Sequence, residues 1–445
     1  MTDQLTPSTP SQQDRPLPAP DELTRRDKIK SEVMAGGSVV ELDDDELADG
    51  WKAAVSMVAI AGLFVWLALV NIWWFTFVVG VVIAVFLHEL GHFATAKWTG
   101  MKATQFFLFF GPRLWSFRRG ETEYGVRAIP LGAFVRIIGM NRMDDVPLED
   151  ENRTYRQKSY PRRMLVISAG SIMHMIIAVT LLFAVYVGQG ERTDEFVPEV
   201  YVATAFEGLP AAESGIQNGD QILSVGGIAV TSSVELGDAV RSFEPADVVD
   251  VVVIRDGVEQ TIAVGLGANT DESSPFFGDA LLGVRSGSPV VYEQLSVPSA
   301  AANAVTDIFP ASWESIKGVI KVLNPVNIVT HLNGTNDDIT SRPTTLVQVT
   351  ALSDDIGDSE GIWGVLWLLA VLNVFVGVFN MFPLLPLDGG HAAVATYERI
   401  REARRPGKQR YFADVERLMP LAMGVMVLLL SLMAAGLYLD ITDPL

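Results

Sequence analysis

Two histidines and a glutamate form the run of residues whose types and spacing most clearly indicate chemistry. His88 and His92 lie four residues apart, with Glu89 directly after the first of them. In a helix, residues at this spacing share one face, so both imidazoles would point the same way. A pair of histidines in this pattern is typical of a zinc site, and the adjacent glutamate is typical of the base that activates a water molecule there.

The residues before this motif place it in an apolar setting. Residues 53–87 contain no charged side chain, and ionisable groups at membrane depth are costly unless they have a partner. A bound metal ion would provide that partner for the two histidines and the glutamate. In soluble enzymes the motif indicates a metalloprotease helix, and here it predicts the same chemistry inside a membrane.

The composition is that of a membrane protein with polar inserts. The chain has 445 residues, 49% of them hydrophobic, and a mean hydropathy of +0.29. It contains no cysteine, which excludes disulfides, zinc–thiolate sites and thiol nucleophiles. Any metal ion must therefore bind to His, Asp or Glu. The net charge of -20 argues against nucleic acid as a partner.

Four apolar runs are long enough to span a hydrocarbon core of roughly 30 Å. They cover residues 53–87, 164–187, 362–387 and 418–439. The first run would form a helix of about 50 Å, so we predict that it divides near Asn71 into two helices. The chain is therefore predicted to contain about five transmembrane helices.

Basic residues are concentrated in two segments between the predicted spans. Residues 97–163 carry 13 basic and 7 acidic side chains and residues 397–417 carry 7 and 4, whereas residues 188–360 carry 7 basic and 26 acidic ones. Because basic loops stay on the cytoplasmic side of a membrane, we expect both basic segments there and the acidic segment outside. The chain is expected in the cell membrane, with the metal site near its cytoplasmic side.

A catalytic zinc ion takes three protein ligands and leaves one position open, and Asp388 is the candidate for the third ligand. It lies at the predicted cytoplasmic end of its apolar run, at the same depth as the two histidines. Pro383 and Pro386 cannot continue a regular helix, so the segment before Asp388 is predicted to be broken and to line a cavity. Asn373 and Asn380, on the same run, either contact the substrate or the developing oxyanion or tie neighbouring helices together.

From about Ile72 onward the chain resembles the bacterial branch of the site-2 protease family. The resemblance rests on the His-Glu-x-x-His helix and on the Asn-x-x-Pro-x-x-Pro-x-Asp-Gly-Gly-His pattern of residues 380–391. Residues 120–125 and 130–132 resemble the family's membrane-associated β-loop. Residues 207–230 resemble a PDZ domain of the bacterial protease type.

The resemblance implies a polytopic α-helical membrane protein with an inserted extracytoplasmic α+β PDZ domain and a cytoplasmic-side membrane-associated β-loop. It implies a zinc endopeptidase that holds one Zn²⁺ with His88, His92 and Asp388 and uses Glu89 as general base. The implied substrates are single-span membrane proteins such as anti-sigma factors, cut in the lipid bilayer after an upstream site-1-type protease has made an extracytoplasmic cut. The PDZ groove would take peptide ends by strand addition. The alternative is a proteolytically inactive, PDZ-bearing scaffold or escort of membrane proteins.

These predictions divide the chain into successive segments. They are a disordered cytoplasmic tail (1–50), two transmembrane helices with the histidine motif in the second (51–98), the β-loop and basic loop (99–163), a transmembrane helix (164–187), the PDZ domain (189–287), an extracytoplasmic linker (288–360), a transmembrane helix with the aspartate ligand (361–392), a basic cytoplasmic loop (393–417) and a last transmembrane helix (418–439).

Two positions depart from the family's usual pattern. The sequence Phe-Phe-Gly at 109–111 stands where the family usually has Gly-Phe-Gly, and His174 stands where a Gly-Pro-x-x-Asn motif usually ends. His174 is expected either to lie near the metal or to pack between helices in place of the asparagine. His331 and His391 are expected to be structural.

Overall fold

The structure is a computed structural model that describes most of the chain after the amino-terminal tail. The described residues are 50–140, 146–193, 197–271, 274–287, 290–336, 338–404, 411–413 and 418–442. The predicted tail, up to residue 49, lies outside them. The chain divides into a membrane unit, formed by residues up to Val185 and from Pro298 onward, and an inserted unit, Tyr186–Val297.

Helices account for most of the described part of the membrane unit, and most of the described strands lie in the inserted unit. The helices are α1 (Gly50–Val70), α2 (Ile72–Trp98), α3 (Tyr160–Gly188), α4 (Pro210–Glu213), α5 (Ser233–Arg241), α6 (Val297–Thr306), α7 (Ile308–Val322), α8 (Pro325–Leu332), α9 (Leu346–Asn380), α10 (Asp388–Ala403) and α11 (Met419–Thr442). The strands are β1 (Ala103–Arg119), β2 (Thr122–Ile137), β3 (Glu191–Arg192), β4 (Val200–Ala205), β5 (Gln221–Val225), β6 (Ile228–Ala229), β7 (Val248–Arg255), β8 (Val258–Gly265), β9 (Gly267–Ala268), β10 (Ala280–Leu281), β11 (Val284–Gly287) and β12 (Tyr292–Glu293).

Five of these helices, α1, α2, α3, α9 and α11, are long and apolar enough to cross a membrane. The long first apolar run divides at Asn71, which adopts an extended conformation between α1 and α2. Its side-chain oxygen accepts hydrogen bonds from the backbone N–H groups of Trp73 and Trp74, each at 2.9 Å. Asparagine at this position satisfies backbone donors that a helix start leaves unpaired, so a new helix begins there.

The boundaries of α9 and α10 differ from the predicted ones. A transmembrane helix broken before Asp388 was expected over 361–392, but α9 already begins at Leu346, changes direction at Gly361 (φ 65°) and ends at Asn380. The acidic stretch before Gly361 hid this helix in the sequence. Asp354 accepts a hydrogen bond from the Asn71 side chain at 2.6 Å, and this tertiary contact cannot be read from local periodicity.

The predicted linker 288–360 is also more ordered than expected, since it contains α6, α7, α8 and the first part of α9. Aromatic and aliphatic residues recur along α7 at Phe309, Trp313 and Ile320, all of them exposed. Val319 on the same helix is buried. From Pro298 onward the segment therefore belongs to the membrane unit.

The strands β1 and β2 form a sheet with an unusual register. Gln105 pairs with both Glu123 and Arg136, so the first part of β1 lies between two parts of β2. The chain turns back at Phe109 (φ 72°) and Gly111 (φ 85°). A left-handed conformation is strained for a bulky residue, and Phe109 is one of the two departures from the resembled family pattern noted above. The buried Phe109 ring, 4% exposed, therefore packs at the cost of backbone strain.

Ion pairs join this sheet to the membrane helices. Glu121, in the turn between β1 and β2, binds Arg153 Nη1 at 2.7 Å and Lys97 Nζ at 2.6 Å. Lys97 belongs to the last turn of α2. The hydrogen bond from Arg153, supported by Lys97, lowers the pKa of Glu121 to about 2. Glu121 thus stays charged over the physiological pH range, and its contacts fix the sheet at the end of α2.

The inserted unit has the α+β composition predicted for a PDZ domain. Its main sheet has the strand order β11-β4-β5-β7-β8, with β6 paired to β5. Valine and isoleucine side chains, including Val202, Ile222 and Val251, fill its core. Asp256 (φ 53°) and Gly257 (φ 78°) connect β7 to β8, as expected for a two-residue hairpin turn with positive φ at both positions.

A buried ion pair joins the start of α3 to α10. Arg163 Nη1 lies 2.6 Å from Glu398 Oε2, and both side chains are 7% exposed. The other Glu398 oxygen accepts a hydrogen bond from the backbone N–H of Ala413 at 2.8 Å. Because α10 begins at Asp388, this pair positions the helix on which that aspartate lies.

Replacing Glu398 by Gln is expected to lower the free energy of unfolding by about 3–5 kcal/mol, because the buried Arg163 guanidinium loses its charged partner. Thermal unfolding of detergent-purified protein measures the change. Arg399→Gln is the control, since Arg399 is 59% exposed and lies 3.7 Å from Glu402. Removing such an exposed pair should change stability by about 1 kcal/mol or less. Equal losses in the two variants would contradict the role given to burial.

Candidate active site

The three residues predicted to bind metal lie together, although they come from distant parts of the chain. His88 and His92 are buried on α2, and their Nε2 atoms are 3.1 Å apart. Asp388, the first residue of α10, places Oδ2 at 3.5 Å from His88 Nε2 and 3.3 Å from His92 Nε2. Two ring nitrogens and one carboxylate oxygen therefore converge on one point.

The tautomer of His92 is set by a contact with α3. His92 Nδ1 lies 2.7 Å from the backbone oxygen of Val166. A carbonyl oxygen can only accept, so Nδ1 carries the hydrogen and donates it. In the neutral imidazole, Nε2 is then the atom with a free lone pair, and this is the atom that faces His88 and Asp388. Such a contact on the second nitrogen is typical of metal-binding histidines.

The three converging atoms fit a zinc ion. Zinc bonds of about 2.0–2.2 Å in a tetrahedral arrangement place neighbouring ligand atoms roughly 3.3 Å apart, and the observed separations are 3.1, 3.3 and 3.5 Å. Asp388 Oδ2 is buried and forms no hydrogen bond with the residues that the structure describes. Buried polar atoms normally have a partner, and a cation bound between the three atoms would supply it.

Gly170 on α3 keeps the space at the ligand atoms open. A Cβ atom there would lie 2.3 Å from His88 Cε1 and 2.5 Å from the Nε2 atoms of both His88 and His92. On the facing helix, a Cβ at Gly91 would lie 2.8 Å from the backbone oxygen of Ala169. The two helices therefore approach closely where the histidines lie. Sequence reasoning noted Gly170 only as part of the departing motif and missed its place at the site.

The two glycines after Asp388 allow a second close approach. A Cβ atom at Gly389 would lie 2.2 Å from the backbone oxygen of Met381, and one at Gly390 would lie 2.6 Å from the backbone nitrogen of Leu385. The first turn of α10 thus packs directly on the non-helical segment 381–387. This packing turns the chain so that Asp388 faces α2.

Glu89 and the sheet meet beside the histidines. Glu89 is partly exposed, and its carboxylate faces the backbone N–H of Val135 in β2. The Glu89 carboxylate therefore lies between the cluster of His88, His92 and Asp388 and the backbone of β2. The position of Glu89, one residue after His88, follows from the sequence alone.

Of the two candidate asparagines, Asn373 lies next to His174 rather than at an open surface. Asn373 is 2% exposed. Its oxygen accepts a hydrogen bond from His174 Nδ1 at 2.7 Å, and its nitrogen donates to the backbone oxygen of Leu369 at 2.7 Å. The His174 ring lies 5.0 Å from that of His88. A direct substrate contact by Asn373 would require these bonds to break.

The remaining polar candidates occupy different places. Asn380 is the last residue of α9 and is partly exposed beside the non-helical segment. His331 Nε2 lies 3.0 Å from Ser341 Oγ in a buried pair, as expected for a structural residue. His391 lies within α10, one turn after Asp388. Asn380 is therefore the asparagine that remains accessible next to the cavity described below.

An apolar cavity of about 500 Å³ lies between α3, α7 and α9. A Cβ atom at Gly377, in its wall, would lie 3.1 Å from His174 Cβ, so the cavity is adjacent to the histidine cluster. Its lining is formed by Ser168, Ser171, Ile172, Met175, Ile316, Gly377, Val378, Met381, Phe382 and Pro383. The cavity can hold apolar side chains next to His174.

A protein family and individual relatives both match this chain over most of its length. The family model of Peptidase family M50 matches residues 76–427. The zinc metalloprotease Rip1 of Mycobacterium tuberculosis H37Rv is 31% identical over 398 residues, which cover 83% of this chain and 96% of the relative. Rip1 of Mycolicibacterium smegmatis is 31% identical over 402 residues, which cover 83% of this chain and 97% of that relative.

Two solved PDZ-domain structures are similar to part of this chain. The PDZ domain of an SdrC-like protein from Listeria monocytogenes is 23% identical, with a TM-score of 0.18, and covers 21% of this chain and 93% of that one. The corresponding domain from Listeria innocua is 25% identical, with a TM-score of 0.17, and the match covers 22% of this chain and 98% of that one.

The fold and the site define a multi-pass membrane protein with a buried metal centre of the metalloprotease type. Because the family match spans most of the chain and the mycobacterial relatives share 31% of its residues over 83% of its length, the chain belongs to Peptidase family M50. It is an intramembrane zinc metalloprotease of the site-2 type, and zinc is its cofactor. The predicted fold class, enzyme class and cofactor are confirmed.

Replacing Gly170 by Ala is expected to reduce bound zinc well below one ion per chain and to abolish cleavage, because the added methyl group would overlap both imidazoles. Mass spectrometry of bound metals on detergent-purified protein measures the loss. Gly62→Ala and Gly424→Ala are matched controls, since a Cβ atom at either helical glycine meets nothing within 4 Å. Full zinc content in Gly170→Ala would contradict the assigned packing.

Proposed function

We propose that this protein hydrolyses a peptide bond within the membrane-spanning segment of single-span membrane proteins, at the site formed by His88, His92 and Asp388. The observation that carries the proposal is the convergence of these three side chains, supplied in part by a helix that is long and apolar enough to cross a membrane. Zinc, when bound there, supplies a Lewis acid for the scissile carbonyl.

In this proposal, three side chains bind the metal and a fourth, that of Glu89, transfers the proton. His88, His92 and Asp388 hold the metal, and the Val166 carbonyl keeps His92 in the tautomer that this requires. Glu89 accepts a proton from the attacking water and returns it to the amine nitrogen of the leaving product. In this way one glutamate acts first as base and then as acid.

The surroundings of the site support a substrate held in extended form. A transmembrane helix hides its peptide groups in its own hydrogen bonds, so it must unwind before hydrolysis. The non-helical segment 381–387 and the strand β2 offer backbone groups for an added strand, and the apolar cavity of about 500 Å³ accepts side chains. We assign Asn380 to the substrate backbone. Asn373 would act through His174, which it holds in place.

The wider function follows from the distribution of charge and from the inserted unit. We place the basic segments on the cytoplasmic side of the cell membrane and the acidic inserted unit outside. The inserted unit would act as a PDZ-type filter for peptide ends produced by an upstream site-1-type protease. Membrane-bound regulators such as anti-sigma factors are the proposed substrates, and nucleic acid is not a partner.

Replacing Glu89 by Gln is expected to leave zinc at one ion per chain and to slow cleavage by about 10²–10⁴-fold, because the proton acceptor is lost while the ligands remain. The reaction is followed with the protein and a single-span substrate reconstituted in vesicles. His88→Ala serves as the comparison, since it should lose zinc and cleavage together. Undiminished turnover by Glu89→Gln would remove Glu89 from the mechanism.

The proposed filter is tested with two forms of one substrate, full-length and already trimmed outside the membrane. The trimmed form is expected to be cut faster, because its new end fits a groove that binds peptide ends and its small outer part passes the filter. The ratio of the two rates is the measurement. Equal rates for both forms, with zinc content intact, would contradict the filter while leaving the hydrolytic site in place.

A further inference from the structure

His174 lies at the boundary between the metal site and the apolar cavity. Val166, Gly170 and His174 recur every four residues along α3, so they share one face of this helix. The first two adjoin the metal site, since the Val166 carbonyl binds His92 and a Cβ atom at Gly170 would overlap both ligand imidazoles. His174 continues this face, and its ring centre lies 5.0 Å from that of His88.

The cavity of about 500 Å³ lies along the neighbouring face of α3. Ser171, Ile172 and Met175 on this helix line the cavity. Gly377 on α9 also lines it, and a Cβ atom there would lie 3.1 Å from His174 Cβ. A substrate that places a side chain in the cavity and a peptide bond at the metal ligands therefore has to run past His174.

The contact with Asn373 fixes the tautomer of a neutral His174. The Asn373 amide nitrogen donates to the backbone oxygen of Leu369 at 2.7 Å, and its oxygen faces His174 Nδ1 at 2.7 Å. An amide oxygen can only accept, so Nδ1 carries the hydrogen and Nε2 has a free lone pair. Nε2 forms no hydrogen bond with any residue in the described part of the chain. His174 therefore offers an acceptor that the protein itself does not use.

This acceptor is separate from the metal ligands. The ligand atoms of His88, His92 and Asp388 all lie within 4.8 Å of one another, and among the described residues His174 does not belong to that group. Its Nε2 is also not among the buried polar atoms without a partner, a set that includes His88 Nδ1. Nε2 thus borders open space, and a donor from outside the protein can reach it.

We propose that His174 Nε2 accepts a hydrogen bond from a backbone N–H group of the unwound substrate, beside the bond that is cut. The inference rests on the proposed hydrolytic function and deepens it. A membrane helix that unwinds loses the acceptors of its own N–H groups, and the cavity wall beside His174 is largely apolar. The imidazole supplies an acceptor at this place. Asn373 is a positioning residue, since it keeps the lone pair on Nε2.

The test is a double-mutant cycle between His174 and the substrate backbone, made with the full-length protein in vesicles. A Glu89→Gln background keeps the substrate intact, so its affinity is measured without cleavage. The readout is energy transfer from a dye on one introduced cysteine to a labelled single-span substrate, since the chain has no cysteine of its own. Single backbone amides beside the scissile bond are replaced by esters, which lack the N–H donor.

One ester position is expected to weaken binding by roughly fivefold to tenfold when His174 is present, since one neutral hydrogen bond is lost. In His174→Phe, which keeps a planar ring without an acceptor, that ester and the all-amide substrate should bind equally well. Asn373→Leu should reduce the ester effect, because the tautomer is no longer fixed. His331→Phe is the matched control: His331 is also buried, its Nε2 contacts Ser341, and the whole ester effect should remain.

Two binding results would overturn the assignment. They are an ester effect of the same size with His174 and with His174→Phe at every position tested, and an absence of any ester effect when His174 is present. Loss of bound zinc in His174→Phe, measured by mass spectrometry, would show that the ring supports the ligands instead of the substrate. Cleavage by the protein that retains Glu89 tests the hydrolytic function separately, so either proposal can fail without the other.

Discussion

The close contact between α2 and α3 is the constraint on which the rest of the structure depends. At Gly91 and Gly170 the two helices lie so near that an added methyl group would overlap backbone or imidazole atoms. This contact brings the Val166 carbonyl to His92 and so determines which ring nitrogen faces the metal site. The close approach at these two glycines thus decides both the space at the site and the tautomer of a neutral His92.

The third ligand depends on a different set of contacts. Asp388 can face α2 only because the chain leaves the helical conformation after Asn380 and starts a new helix at Asp388 itself. The glycines that follow it pack on the broken segment, and the buried pair of Arg163 and Glu398 holds α10 against α3. The aspartate is therefore positioned by α3, the same helix that positions the histidines. A single helix serves as the common reference for all three ligands.

The sheet of β1 and β2 is joined to this arrangement from the other side. Glu121 connects it to the end of α2 through Lys97, and β2 lies beside Glu89. The left-handed Phe109 shows that this sheet tolerates backbone strain.

The sequence by itself determined the class of chemistry and predicted both the five long apolar helices and the three residues proposed to bind the metal. Helical spacing placed His88 and His92 on one face. Charge and hydropathy indicated the membrane spans, and two prolines predicted the break in the helix before Asp388. The sequence could not show that α9 begins in the acidic stretch near Asp354, that Asn373 is bound to His174, or that Gly170 borders the metal site. Each of these depends on contacts between residues far apart in the chain, and local periodicity carries no information about such partners. Only the tertiary structure decided them.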